Sequence, residues 1–291
     1  MKKVKLLYNP KAGDKKISLK LDLIFEKYQN AGYLVEPFRL GDSLDLDIAF
    51  SKIDEYDYVL IAGGDGTIDI AVNYMKKNDI NLPVGILPTG TANDFAKVIG
   101  MPLNLNDALD KILDSDAKKI DLGKINDQYF INIAGAGMFT EVSQKTNVYL
   151  KSSLGRLAYI LKGVEDAVNP KAYNVKIKSK EFSYSGEIYI IIVLNGRTAG
   201  NINLLSDSYI DDGLLDVIVI KAMPVKRTIS ILFDILTGSD INNHPEVACF
   251  KTKEIYIEGD DAITTDIDGE TGPGLPLLIK CEAEALNIKG I

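Results

Sequence analysis

The sequence predicts a three-layer α/β domain with a mostly parallel sheet over residues 1–118, followed by a β-sandwich domain over residues 119–291. Strands alternate with helices from Val4 to about Leu113, and after about Lys118 strands follow one another directly. No repeat, low-complexity tract or long linker separates the halves. A close interface and an active-site cleft between them are therefore expected, with the last few residues packing back on the first domain.

Taken in order, Val4–Tyr8, Tyr33–Arg39, Tyr58–Ala62 and Val84–Leu87 are short apolar runs that suit strands. Leu19, Leu23 and Phe25 with Glu26 and Lys27 suit an amphipathic helix after the first of them, and Asp107, Ala108, Leu109, Ile112 and Leu113 suit another after the fourth. The β half is read as Lys119–Ile125, Gln128–Ala134, Tyr173–Lys178, Phe182–Leu194, Leu214–Lys221, Glu254–Glu258 and Leu275–Cys281. Two helices interrupt it. Leu154, Leu157, Ala158, Leu161 and Val164 share a face at helical spacing, and Pro224–Leu236 opens with a favoured N1 proline.

The most telling stretch is Leu60-Ile61-Ala62-Gly63-Gly64-Asp65-Gly66-Thr67, where an apolar strand runs into three glycines, an acid and a hydroxyl before a helix expected over about Thr67–Tyr74. Glycines reach positive φ and let backbone N–H groups approach an anion, while the first turn of a helix adds unpaired donors and a positive dipole end. A plain tight turn is the competing reading. Ligands of parallel sheets sit beyond the carboxyl ends of the strands, where this turn lies. Asn9-Pro10-Lys11-Ala12-Gly13 ends the first strand on the same edge, and Leu87-Pro88-Thr89-Gly90-Thr91-Ala92-Asn93-Asp94-Phe95-Ala96 ends the fourth. Thr91 is a candidate cap for the helix that follows.

Composition removes several function classes. With 46% hydrophobic residues the chain can bury sizeable cores. Cys249 and Cys281 lack metal-type spacing and read as small apolar residues, and without a secretion signal a reducing, cytoplasmic location is expected. The longest apolar run, Ile188–Leu194, is about a third of a membrane-spanning helix. A net charge of -8 and a pI near 4.9 argue against general nucleic-acid binding. Between Lys145 and Lys180, however, eight basic residues face two acids, which reads either as a solvated face or as a contact for anionic lipid headgroups. The lone His244 has no partner pattern and reads as a loop residue, and no Gly-x-Ser-x-Gly elbow supports a hydrolase.

With these motifs the chain resembles the diacylglycerol kinase catalytic family, bacterial lipid kinases related to sphingosine and ceramide kinases. The resemblance spans nearly the whole chain and rests on an ordered set. To the loops above it adds Ile120-Asp121-Leu122-Gly123, Asn132-Ile133-Ala134-Gly135-Ala136-Gly137, Asn195-Gly196, Asp211-Asp212-Gly213-Leu214-Leu215-Asp216 and Asp268-Gly269-Glu270. The Gly-Gly-Asp-Gly-Thr element is shared with NAD kinases and phosphofructokinases, whose α/β fold the first domain is expected to resemble. By itself that element indicates only phosphoryl transfer or nucleotide binding.

The resemblance implies an ATP- and Mg²⁺-dependent kinase acting on the free hydroxyl of a membrane lipid, with diacylglycerol giving phosphatidic acid as the first expectation. A sphingoid base or phosphatidylglycerol as acceptor, or a non-catalytic nucleotide-binding regulator of the same fold, are the alternatives. Nucleotide contacts are implied for Asn9, Pro10, Lys11, Ala12, Gly13, Arg39, Gly63, Gly64, Asp65, Gly66, Thr67, Ile68, Asp69 and Thr91. Asp268 matches the family's general base and Glu270 a second acid beside it. Asp65, Asp94 and Asp121 match three acids of a water and Mg²⁺ network, and Asp212, with the main-chain carbonyls of Tyr209 and Leu214, matches a structural Mg²⁺ site. Taken alone, Asp268-Gly269 also reads as a hairpin turn, Asp121 as a surface acid at a strand start, and Asp211-Asp212-Gly213 as a simple turn. The implied partners are a membrane lipid substrate, reversible contact with an anionic membrane surface, and a second copy in a homodimer, with no nucleic acid. The implied location is cytoplasmic, peripheral at the inner membrane face.

Overall fold

The computed structural model describes residues 2–41, 45–138, 171–196, 198–199, 202–203, 209–224, 227, 231, 234, 241 and 244–291. Two compact units emerge: Met1–Ile120 with Glu284–Ile291, and Asp121–Ala283.

In the first unit β1 (Lys2–Tyr8), β2 (Tyr33–Arg39), β3 (Tyr58–Gly63) and β4 (Val84–Pro88) form a parallel sheet in the order β2-β1-β3-β4. Ile288 and Lys289 of the last strand add to it beside Val84 and Gly85. β3 and β4 are buried along their whole length, as parallel strands covered by helices require, whereas β2 at the edge alternates and accommodates Pro37. The helices are α1 (Leu21–Asn30), α2 (Leu46–Ala49), α3 (Asp65–Lys77), α4 (Asp94–Val98) and α5 (Leu105–Asp114). α5 starts where the Asn104 side chain accepts the N–H groups of Asn106 and Asp107. Its Ile112 packs at Gly85, where a Cβ would lie 3.0 Å from the Ile112 side chain.

Two expectations for this unit are corrected. Leu19 does not belong to the buried stripe of the first helix: it sits in a 3-10 turn, Ile17–Lys20, and is 82% exposed, while Ile24 and Tyr28 are the buried residues of α1. α3 begins at Asp65 instead of Thr67 and runs to Lys77, because Gly64 is its N-cap and Asp65 and Gly66 already have helical backbones.

The second unit is antiparallel. Its strands are β5 (Ala117–Ile125), β6 (Gln128–Phe130), β7 (Ile133–Gly137), β8 (Tyr173–Ser179), β9 (Ser183–Leu194), β10 (Thr198–Ala199), β11 (Ile202–Asn203), β12 (Leu215–Lys221), β13 (Val247–Thr252), β14 (Glu254–Gly259), β15 (Thr265–Ile267), β16 (Glu270–Thr271) and β17 (Leu277–Lys289), of which β5 begins and β17 ends in the first unit. The main path is β16-β15-β7-β9-β8-β14-β17, with β12 between β9 and β13, β5 paired with β6, and β10 with β11. β12 buries residues on both faces. Val217 and Val219 join Ile191 and Val193 in one core, and Ile218 and Ile220 join Tyr189, Met223 and Val247 in another. Each such side chain contributes about 1.5–3 kcal/mol.

The expected strand Gln128–Ala134 is interrupted at Ile131 and Asn132, whose N–H groups bond to Asp268 and not to a neighbouring strand. The expected Leu275–Cys281 begins at Leu277 and continues to Lys289, and β13, β15 and β16 are additional. The helical pattern Leu154–Val164 lies outside the described residues, as do Lys145, Lys151, Arg156 and Lys162 of the basic stretch. Within Pro224–Leu236, the described residues Arg227, Ile231 and Asp234 are helical. Lys176 and Lys178 lie on the exposed face of β8, alternating with buried Val175 and Ile177.

Candidate active site

In the first unit, strand register assembles one edge. Tyr8 is level with Arg39 on one side and Ala62 on the other, and Gly63 is level with Pro88. The loops that begin at Asn9, Gly64 and Thr89 therefore leave from adjacent carboxyl ends, with Arg39 exposed at the end of β2. Short bonds hold them together. Asn9 donates its N–H to Ala62 O (2.9 Å) and its Nδ2 to Thr67 Oγ1 (3.0 Å), and its Oδ1 accepts Lys11 N–H (2.9 Å). Thr89 N–H donates to Gly63 O at 3.1 Å.

The glycines serve close approach here. Gly64 has φ -96°, so the expectation of positive φ fails at that position. A Cβ on Gly90 would lie 2.3 Å from Gly64 Cα, and a Cβ on Gly13 would lie 2.3 Å from Thr89 O. The three loops thus pack backbone against backbone along this edge. Gly66, by contrast, faces open space. Asp65 and Gly66 open α3, where helix N–H groups lack intrahelical acceptors. Thr89 Oγ1 is buried without a hydrogen-bond partner among the described residues. A glycine cradle, helix-start amides and an orphaned hydroxyl fit a phosphate chain. Ile68 turns its side chain into the core, so only its main chain could contribute, and Asp69 accepts from Asn73 Nδ2 at 2.9 Å. Pro10 and Ala12 are half-buried and Lys11 exposed in the first loop.

Thr91 is not a cap. The residue before α4 is Asn93, in the left-handed region at φ 53°, and its side chain closes a ring with Gly90 by accepting Gly90 N–H (2.8 Å) and donating to Gly90 O (3.0 Å). The start of α4 is instead capped from a distance: Asp65 Oδ1 accepts Phe95 N–H at 2.9 Å. Asp94 is buried, with Lys97 Nζ 3.6 Å away.

Burial raises the Asp65 carboxyl above its ordinary range; the Phe95 N–H opposes this, and the Asp94 charge adds to the rise. A carboxylate whose folded value lies above its unfolded one costs stability above the folded value, and the cost fades as pH falls towards the unfolded value near ~4. Asp65→Asn keeps an oxygen for Phe95 N–H. In melting curves without nucleotide or divalent ion it is expected to unfold at a higher temperature than the parent at about pH 7.5, with the gap closing towards about pH 4. A lower melting temperature near neutrality would contradict this.

In the second unit, Asp268-Gly269 is a two-residue hairpin turn between Ile267 and Glu270, with φ 48° and 93°. The turn carries an anchored carboxylate. Asp268 Oδ2 accepts Ile131 N–H (2.7 Å), and Oδ1 accepts Asn132 N–H (3.1 Å) and Ile133 N–H (2.9 Å). Three successive N–H groups thus converge on one carboxylate as a nest. Asp268 N–H returns a bond to Ile133 O, and Glu270 is exposed beside the turn.

Asp121 is no surface acid. It is 2% exposed, its Oδ2 accepts Gly213 N–H (2.6 Å), and its own N–H donates to Ile210 O. Burial first, then the charges of Asp121 and Asp212, push the Cys281 thiol up to about 12, so it stays protonated. At the expected Asp212 site the carboxylate is paired with an ammonium. Asp212 Oδ2 pairs with Lys251 Nζ at 2.7 Å, its Oδ1 accepts Leu214 N–H at 3.0 Å, and Lys251 Nζ lies 5.7 Å from the Tyr209 ring. A divalent ion at Asp212 would share the carboxylate with that lysine or displace it. Among the described residues no group of three or more acidic, His or Cys side chains could hold a metal. His244 has a partner after all: its Nε2 lies 2.8 Å from Asp234 Oδ2. Asn132 and Asn195 open sequence motifs with no local pattern that gives them a role, and Lys251 carries no sequence signal of its pairing.

Residues 3–125 match the family described as diacylglycerol kinase catalytic domain, and residues 132–290 match the one described as YegS C-terminal NAD kinase beta sandwich-like domain. A diacylglycerol kinase of Bacillus subtilis is 32% identical over 280 residues, covering 95% of this chain and 92% of that one. A diacylglycerol kinase of Staphylococcus haemolyticus is 33% identical over 290 residues, covering 98% and 85%. A crystal structure from Bacillus anthracis, described as a diacylglycerol kinase, superposes with a TM-score of 0.80 at 25% identity, covering 99% of this chain and 96% of that one.

Proposed function

The chain belongs to the diacylglycerol kinase catalytic family and is an ATP-dependent lipid kinase, and from that premise we propose that it transfers the γ-phosphate of ATP to diacylglycerol, giving phosphatidic acid. The glycine-lined edge of the first unit carries the donor half of this reading. Its loops approach so closely that a Cβ at Gly13 or Gly90 would collide with backbone, and α3 starts at the same edge, where a helix N-terminus favours an anion. In the proposal Asn9–Gly13, Gly63–Asp69 and Thr91 hold the nucleotide, and Arg39 adds a cation at the same edge.

Phosphoryl transfer asks little covalent chemistry of a protein, so positioning and charge neutralisation carry most of the catalysis. The attacking hydroxyl forms the new P–O bond, the bond to the leaving ADP oxygen breaks, and Asp268 takes the hydroxyl proton. Glu270 stands beside it as the second acid. When bound, Mg²⁺ neutralises phosphate charge. Asp65 and Asp94, whose charges oppose one another, are residues that would hold it, with Asp121 as the third acid of the proposal.

A second Mg²⁺ at Asp212, with the carbonyls of Tyr209 and Leu214, would compete with Lys251. Added Mg²⁺ is therefore expected to raise the melting temperature of Lys251→Met by more than it raises that of the parent; an equal or smaller rise would count against metal binding at Asp212.

No described helix is long and apolar enough to cross a membrane. The lipid reading places the enzyme in the cytoplasm, in reversible contact with an anionic inner membrane face through the Lys145–Lys180 region, and as a homodimer. One panel tests acceptor and surface together: diacylglycerol, phosphatidylglycerol and a sphingoid base are each presented in neutral and in anionic micelles at two salt concentrations. Diacylglycerol is expected to be the best acceptor, with a salt-sensitive gain on anionic micelles. Preference for another lipid would move the substrate assignment, and indifference to charge would remove the membrane contact. Light scattering of the purified protein decides the dimer.

A further inference from the structure

We propose that Asn195 is a positioning residue for lipid phosphorylation, aiming the amides that hold Asp268. The inference rests on the reading of Asp268 as the proton acceptor. Asn195 directly follows β9 and precedes Gly196, which has φ 101°. Its side chain is 2% exposed. The Nδ2 donates to Asp121 O at 2.8 Å and to Ile131 O at 3.3 Å, and the backbone N–H donates to Asn132 O at 2.9 Å.

Peptide geometry gives these bonds their consequence. In a planar trans peptide the C=O of one residue and the N–H of the next are fixed in opposite directions. Holding Ile131 C=O therefore sets the direction of Asn132 N–H, and holding Asn132 C=O sets that of Ile133 N–H. Those two N–H groups are the donors to Asp268 Oδ1. Asn195 grips the far side of the same two peptides, so the loop is clamped between a donor and an acceptor. Its third bond ties the clamp to the main chain of Asp121.

The side chain acts through its donor end. Asn195 Oδ1 is buried without a hydrogen-bond partner among the described residues, a cost that an aliphatic side chain of similar size would avoid. What an aliphatic side chain cannot supply is the NH₂ group facing two carbonyl oxygens. A carboxylate at this position would point a charged acceptor at them. Only its protonated form, with one O–H, could restore part of the clamp.

The test is steady-state kinetics of diacylglycerol phosphorylation for Asn195→Leu and Asn195→Asp, with Asp268→Asn as reference, at a temperature where circular dichroism shows each protein folded. Misplacement by about 1 Å is enough to cost about 10²-fold in rate. Both Asn195 variants are expected to lose about that much in kcat, with the KM for ATP unchanged. The kcat of Asn195→Asp relative to the parent should recover as pH falls from about 8 to about 6, as burial favours the protonated acid, while the Asn195→Leu ratio stays flat. Parent-like kcat in Asn195→Leu beside an inactive Asp268→Asn would overturn the positioning role and leave the base reading standing. Parent-like activity in Asp268→Asn would sink the base reading itself. Should Asn195→Leu not fold, the pH dependence of Asn195→Asp decides alone, and a flat ratio overturns the proposal.

Discussion

Asp268→Asn is expected to lower lipid phosphorylation by about 10²- to 10⁴-fold while leaving the affinity for ATP unchanged. The backbone should survive the change, because Asn is one of the few residues besides glycine that tolerates the left-handed φ of 48° found at this turn. What is lost is the anion. An amide offers one acceptor oxygen and one NH₂ group, and the NH₂ group would confront an N–H that now donates to a carboxylate oxygen. The substitution therefore removes the proton acceptor and disturbs the loop at Ile131–Ile133 together. Initial rates with saturating diacylglycerol, alongside nucleotide binding measured by fluorescence, separate the two parameters. An unimpaired rate, or a loss that appears only as weaker ATP binding, would contradict the assignment.

Gly90→Ala should act on the other half of the reaction. The new Cβ would lie 2.3 Å from Gly64 Cα and 2.8 Å from Asn93 Oδ1, so the loop must move by displacing backbone and not the end of a flexible side chain. Overpacking of this kind costs about 1–3 kcal/mol, which corresponds to roughly 5- to 150-fold in ATP affinity if the cradle is what opens. Gly64→Ala meets Gly90 Cα at 3.0 Å and should be milder. Gly274→Ala, with nothing within 4 Å, serves as the silent control. Nucleotide titrations of the three variants rank them, and an undiminished affinity in Gly90→Ala would show that the Gly64–Gly90 contact is not part of the nucleotide site.

Much of the first unit was legible because its strands are contiguous apolar runs separated by amphipathic spacers, a signal that depends only on neighbours in sequence. Parallel order then places every strand's carboxyl end on one edge, so the loops at Asn9, Gly63 and Thr89 could be grouped before any contact was known. What escaped was set by distant partners. Thr91 has the composition of a cap, yet the donor at Phe95 is satisfied by Asp65, which lies thirty residues earlier. Ile131-Asn132-Ile133 reads as unbroken strand, and its interruption comes from Asp268, more than 130 residues later. Lys251 at Asp212 and Asp234 at His244 are likewise tertiary pairings without a local pattern. The acidic stretch Glu282–Glu284 disguised the continuation of the last strand, whose apolar residues resume at Leu286 and Ile288 in the core.

The glycines teach a narrower lesson. Their number around Asp65 points to an anion, and the expected reasons are backbone freedom at positive φ and close approach of the backbone to that anion. Close approach is the reason at Gly64 and Gly90, while Gly13 combines both, with φ 51° and a backbone oxygen where a side chain would go. The functional expectation drawn from these residues is the same under either cause, but the mutational outcome is not: steric contact predicts a graded series from Gly64 to Gly90, which φ alone would not.

The central claim is tested most directly by incubating the parent protein with γ-labelled ATP, Mg²⁺ and diacylglycerol in mixed micelles, extracting the lipid and separating the products. Label in phosphatidic acid is the predicted result. Label that remains in ATP, or appears only as free phosphate with none in the extracted lipid, would contradict it.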